Sequence, residues 1–312
     1  MTEFPIYVWV GFVVFIIAML ALDLGVFNKK AHEIKIKEAV WWSVFWIGLA
    51  LIFNLGIYIF DGKEDALAFL TGYVIEKSLS VDNLFVFLMI FTFFKVPKKY
   101  QHKVLFWGVV GAIVLRAIFI FAGIALIERF EFMIYIFGAF LVITGIKMGF
   151  QGETQIEPEH NIVLRIFKKI FPVSSKYDEG NFFIRQNNKF YATPMFIVLL
   201  VVESSDLVFA VDSIPAIIAV TRNPFIVFTS NIFAILGLRA LYFALSSFVE
   251  RFYYLKYALS VILTYVGIKM LVTHFYKIPT GISLLIIVGV LGLAVLMSFV
   301  REKKTKKRGN AC

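Results

Sequence analysis

The chain has 312 residues, 60% of them hydrophobic and 36 of them phenylalanine, with a mean hydropathy of +0.85. An ordinary soluble domain does not have this composition. The net charge of +10 would point to nucleic acid in a soluble protein, but here most of the basic residues fall between long apolar runs or in the tail, so no nucleic-acid partner is expected.

Nine runs are long and apolar enough to cross a bilayer: Pro5–Val26, Ala39–Phe60, Ala66–Phe94, Val104–Ile127, Phe132–Phe150, Pro194–Ala219, Phe225–Phe248, Tyr254–Phe275 and Thr280–Val300. Backbone polar groups in lipid must be satisfied within each segment. The fold class is therefore an all-α integral membrane protein of about nine transmembrane helices. The first run is expected to remain as a helix, because Met1-Thr2-Glu3 lacks a basic n-region and no small-residue cleavage site precedes Lys29. Between the fifth and sixth runs lies a long loop, Gln151–Thr193. Within it, Asn161–Phe171 reads as an amphipathic basic stretch, and Asn187-Asn188 as the turn of a hairpin. The single cysteine, Cys312, excludes an intrachain disulfide or thiolate cluster, and His32, His102, His160 and His274 fall in loops or at a span end.

The loops alternate in charge. Those on one side carry 22 Lys and Arg, against Lys63, Arg129, Arg222 and Lys277 on the other. The positive-inside rule then places a multi-pass protein in the plasma (bacterial inner) membrane with its N-terminus external and its C-terminus cytoplasmic. The basic tail is read as solvated and facing the lipid bilayer.

Leu115-Arg116-Ala117 recurs as Leu238-Arg239-Ala240, Glu128-Arg129-Phe130 as Glu250-Arg251-Phe252, and Gly145-Ile146-Lys147-Met148 as Gly267-Ile268-Lys269-Met270. Each repeat unit holds three spans, and three is odd, so the second unit enters the membrane from the opposite side. The organisation is thus a 3+3 inverted repeat, a plan common in secondary transporters. Residues 1–60 form two leading helices, 66–150 the first unit, 151–193 a cytoplasmic loop, 194–275 the second unit, and 280–312 the last helix and tail.

Five carboxylates fall inside the first span of each unit: Glu76 and Asp82, then Glu203, Asp206 and Asp212. Each costs roughly 2.5–3.5 kcal/mol in hydrocarbon when ionised. Aligning Asp82 with Asp212 keeps a six-residue acidic spacing in both units, whereas aligning it with Asp206 does not. A spacing of six sets side chains about 120° apart on a regular helix, so the acids need either a broken helix or more than one station. Gly72, Pro215 and the serines Ser78, Ser80, Ser204 and Ser205 are candidate points of unwinding. Carboxylate, carbonyl and hydroxyl oxygens select hard cations such as Mn²⁺, Ca²⁺ and Mg²⁺, with Asn83 and Ser213 as further ligands. Two other readings stand beside this one: salt bridges to the mid-span counter-ions Arg116 and Arg239, and a metal-free proton relay. Lys147 and Lys269 lie near span ends, where lysine can snorkel, and Asp23 reads as a helix-end charge. No hydrolase, transferase or nucleotide-binding motif is present, so an enzyme is not expected, and transport energy must come from a gradient or transport is downhill.

Gly72-Tyr73-Val74-Ile75-Glu76-Lys77-Ser78-Leu79-Ser80-Val81-Asp82-Asn83 and Glu203-Ser204-Ser205-Asp206-Leu207-Val208-Phe209-Ala210-Val211-Asp212-Ser213-Ile214-Pro215-Ala216 resemble the two signatures of the TerC family, and Thr229-Ser230-Asn231 with Gly237-Leu238-Arg239 extends the match. The layout resembles the Alx-type branch. The resemblance implies that Glu76, Asp82, Glu203, Asp206 and Asp212 are the family's acidic membrane residues. It also implies Mn²⁺ export and metal homeostasis, with the metal as substrate and no permanently bound cofactor. A non-transporting partner that supplies metal to exported proteins, and a proton-coupled cation exchanger, are the competing expectations. Protein-export machinery or a homo-oligomer are the expected protein partners. The family is named for tellurium resistance, yet an acidic cavity repels the tellurite anion.

Overall fold

The chain is described from a computed structural model, which covers residues 4–22, 36–130, 132–150, 164, 165, 167, 171–174, 180–186, 189–245, 253–273, 275, 276 and 278–309, the side chains of Asp82, Phe85, Gln186, Lys189, Leu245 and 302–309 excepted. It is an all-α membrane protein. The helices are α1 (Ile6–Leu22), α2 (Ile36–Phe60), α3 (Lys63–Phe93), α4 (Lys98–Arg129), α5 (Met133–Phe150), α6 (Pro194–Ile218), α7 (Pro224–Leu236), α8 (Leu238–Leu245), α9 (Leu255–Val272) and α10 (Thr280–Gly309). Among the described residues, seven segments are long and apolar enough to cross a membrane, α7 and α8 counting together as one. α1 is apolar but shorter, and α3 is long but interrupted by its charges. One antiparallel hairpin, β1 (Phe183–Gln186) and β2 (Lys189–Ala192), leads into α6. Its turn, most of Asn161–Phe171, Asp23, His32, His160, His274 and Cys312 lie outside the described residues.

The turns follow from local chemistry. Gly62 takes a positive φ of 98° between α2 and α3. Lys95 takes φ 51° ahead of Pro97, which is extended and starts α4. Pro at the first position opens α6 and α7, and the Asn223 side chain caps α7 by accepting from the Phe225 amide.

Three differences from the sequence reading share one cause: hydrogen bonds decide where a helix breaks. α3 runs unbroken through Gly72 and Ser78, and α6 runs through Pro215 to Ile218. Ser78 donates to the Val74 carbonyl, and Ser204 and Ser205 to that of Val201, so these hydroxyls are satisfied within the helix. Pro215 sits in the last turn, so it forfeits the one bond to the Val211 carbonyl close to where the helix ends anyway. The break falls instead at Gly237, dividing the expected span Phe225–Phe248 into α7 and α8. α10 likewise continues past Val300 through the basic tail.

The packing is that of two interchangeable units. α3 packs on α7 and α4 on α6; α5 packs on α9; α3 meets α6 and α4 meets α7. Exchanging α3, α4 and α5 for α6, α7–α8 and α9 leaves this set unchanged. Helix directions follow from paired contacts. Gly72 lies against Ile217 and Glu76 bonds Ser213, so α3 and α6 are antiparallel. Gly108 meets Val202 and Gly123 meets Ile218, so α4 and α6 are parallel. Gly72 meets Ser230 and Lys77 meets Ala234, so α3 and α7 are parallel. Gly138 meets Gly267 and Gly145 meets Ser260, so α5 and α9 are antiparallel. Corresponding helices therefore run in opposite senses, as an inverted repeat requires. The aromatic cluster of Trp9, Phe12, Phe53, Phe225, Phe228 and Phe233 fixes α1 and α2 to this core, and their outer faces, such as Ile6, Trp41 and Phe60, remain exposed.

Candidate functional site

Two acids from different units meet at one arginine. Arg116 on α4 is fully buried, as are Glu76 on α3 and Asp206 on α6. Arg116 Nη1 pairs with Glu76 Oε1, while its Nη2 and Nε donate to Asp206 Oδ1 at 3.1 Å and Oδ2 at 3.2 Å. The same guanidinium donates to Ser213 Oγ at 3.3 Å and Asn231 Oδ1 at 3.4 Å, and Asn231 Nδ2 donates to Glu76 Oε2 at 3.2 Å. Four helices thus close one polar centre, about 18–27 Å along α3, α4 and α6 at 1.5 Å per residue, near mid-membrane. Its formal charge is one negative: two carboxylates against one guanidinium. The pairing also bears on the repeat alignment, since the six-residue register that matches Asp82 to Asp212 matches Glu76 to Asp206.

The other acids are placed apart from this centre. Glu203, one turn before Asp206, turns into the notch left by Gly111 on α4, and its Oε2 is buried with no hydrogen-bond partner. Asp212 faces α5, where it bonds Thr144, as its six-residue spacing from Asp206 requires. The Asp82 side chain lies outside the described residues, although α3 is continuous through it. Next to it, Asn83 is buried with an unpartnered Nδ2, and Ser80, one turn earlier, has an unpartnered hydroxyl. Among the described residues no three His, Cys, Asp or Glu side chains converge as a metal site would require. In this conformation the guanidinium of Arg116 takes the place between two of the acids.

Arg239, at the position in the second unit equivalent to Arg116, is also buried. With Asp206, Gly108 and Ala112 it lines a narrow cavity of about 10 Å³, room for a single water-sized particle. One lysine differs from the sequence reading. Lys269 does not snorkel: it is buried between α9 and α10 and donates to Ser283 Oγ at 3.1 Å. Lys77 turns away from Glu76 and donates to the Ala234 carbonyl at 3.2 Å. Asn231, wholly buried in an apolar helix, was a missed participant, and a buried amide in such a run was its signal.

The helices and the centre define a multi-pass integral membrane protein of two inverted units around a buried acid–arginine cluster. The integral membrane protein TerC family model matches residues 61–306, and the chain belongs to that family. It is 52% identical over 295 residues to an uncharacterised membrane protein of Myxococcus xanthus, covering 95% of this chain and 92% of the relative. It is 48% identical over 311 residues to the Escherichia coli protein Alx, described as a candidate membrane-bound redox modulator, covering 96% of this chain and 97% of Alx. Alx of Salmonella typhi is 48% identical over 309 residues, with 96% of each chain covered. No solved structure matches.

Proposed function

We propose that the chain is a secondary transporter of the plasma membrane that exports a hard divalent cation, Mn²⁺ first among the candidates. The observation that carries this reading is the meeting of Glu76 and Asp206, equivalent acids of the two inverted units, at mid-membrane around Arg116. Two buried carboxylates need a counter-charge, and the guanidinium is an internal one. A divalent ion entering between them would gain both carboxylates with the Ser213 and Asn231 oxygens, an all-oxygen set suited to Mn²⁺, Ca²⁺ or Mg²⁺. Arg116 would then swing aside, and Arg239, lining the cavity beside Asp206, offers the same service from the second unit. Glu203 and Asp212, with Asp82 and Asn83, mark further stations along the acidic faces of α6 and α3. The relatives' redox description fits a role through metal supply, since a chain with one cysteine holds no internal dithiol.

The test is ion flux by purified protein in liposomes with Mn²⁺, Ca²⁺ and Mg²⁺, alongside Asp206→Asn and Asp212→Asn. Mn²⁺ flux is expected in the wild type and its loss in both variants. Asp212 bonds Thr144 rather than an arginine, so Asp212→Asn should keep the wild-type Tm while losing flux. Flux at the wild-type rate in both variants would refute the acidic-site mechanism. Absence of flux in the wild type would favour the non-transporting, metal-supplying role.

A further inference from the structure

The broken helix holds a second cation, and it comes from the chain itself. α7 stops at Leu236 and α8 begins at Leu238, so the last carbonyls of α7 lack the usual partners of a continuing helix. They form the negative end of the helix dipole inside the membrane. Lys77, about 21 Å along α3 from its first residue, reaches this end and donates to Ala234 O at 3.2 Å. No described ion pair involves Lys77: its neighbour Glu76 is committed to Arg116 and Asn231. Gly237 makes the approach possible. A Cβ there would stand 2.6 Å from Lys77 Nζ and 3.3 Å from Trp46 Cβ. The glycine at the break, the freed carbonyls and the ammonium form one fitted arrangement.

In inverted-repeat carriers, half-helix C-termini and freed carbonyls coordinate small monovalent cations. We propose that the C-terminal end of α7 is a seat for a monovalent cation such as Na⁺, which the Lys77 ammonium fills as a tethered substitute. The wild-type protein then completes its cycle with no such ion bound. The seat requires only the packing of Lys77 on α7; its consequence for flux rests on the transport reading above.

The experiment compares full-length wild type, Lys77→Met and Gly237→Ala in NaCl and in equimolar choline chloride. Thermal unfolding in detergent reads the seat, and Mn²⁺ flux in liposomes reads its consequence. Wild type should show the same Tm and flux in both salts. Lys77→Met should unfold at a lower temperature in choline and recover saturably with Na⁺. Its flux should fall about tenfold in choline and return in Na⁺, a change of about 1.4 kcal/mol in the barrier. Gly237→Ala puts a methyl 2.6 Å from the ammonium position, inside the seat itself, so it should lower the Tm equally in both salts. Lys77→Gln carries the test if Lys77→Met does not fold. Equal Tm in Na⁺ and choline for the folded Lys77 variants overturns the seat. A Na⁺-dependent Tm without flux in any form leaves the seat standing and removes the transport reading instead.

Discussion

Arg116 is the residue on which the centre depends. It holds Glu76 and Asp206 together, and all three are removed from solvent. Replacing a buried partner leaves uncompensated charge, at roughly 3–5 kcal/mol. Arg116→Gln should therefore lose most folded protein, seen as a shift to aggregate on size exclusion in detergent. Adding Asp206→Asn to it removes one of the two stranded carboxylates and should recover folded protein. If Arg116→Gln alone is as stable as wild type, the guanidinium is not the structural counter-ion. The acids themselves were legible in the sequence, because an ionised carboxylate in an apolar run is costly enough to require a counter-charge, a proton or a cation. Lys77 was not. It adjoins Glu76 in sequence, but consecutive side chains lie about 100° apart around a helix. Glu76 turns to α4 and α7, and Lys77 to the broken end of α7, a place that exists only because the helix stops at Gly237.

At the scale of the element, the α5–α9 pair is the tightest joint in the molecule. Gly138 lies against Gly267, and in the repeat register the matching contact is Ser260 against Gly145, with Ser260 Oγ donating to the Gly145 carbonyl at 2.6 Å. Each contact is the image of the other, as an isologous interface demands. A Cβ at Gly267 would meet Gly138 O at 2.7 Å and Val142 N at 2.8 Å, both of them backbone. Neither can yield as a flexible side chain could, so Gly267→Ala should cost about 1–3 kcal/mol. Gly289→Ala is the control: nothing lies within 4 Å of its Cβ, and its Tm should be unchanged or slightly raised. Equal Tm for both variants in a thermal melt would show that the joint is looser than drawn. Element existence was easy to read, since apolar runs of bilayer length have one solution. Element ends were harder. α4 begins at Lys98 rather than Val104, because Lys98–Lys103 is polar yet helical and hydropathy does not see it.

For the whole molecule, the inverted repeat links sequence to mechanism. Three short matches at one offset already implied it, and the opposite directions of α3 and α6, of α4 and α7, and of α5 and α9 express it in packing. On the transport reading proposed above, a centre built from both units would be exposed to either side by rocking one unit against the other, with α5 and α9 as the stiff joint. Which side is which depends on charge. The loops that carry 22 Lys and Arg include the hairpin before α6, and the side with four includes the turn before α3. Lys103 Nζ donates to Gly180 O at 2.9 Å and lies over the Phe182 ring, so the hairpin segment is docked on the basic start of α4 and both belong to one side. Cys312 is the only cysteine, so a Cys312→Ser chain gives a silent background for labelling. On it, Asn181→Cys and Glu64→Cys introduce one thiol each at exposed positions on opposite sides. A membrane-impermeant maleimide added to intact cells should label Cys at position 64 and leave position 181 unlabelled until the membrane is opened. The reverse pattern would invert the orientation, and labelling of both from outside would break the loop assignment itself. The expected pattern places the hairpin, the long loop and the basic tail together at the anionic inner leaflet, where about 1 kcal/mol per basic residue favours them.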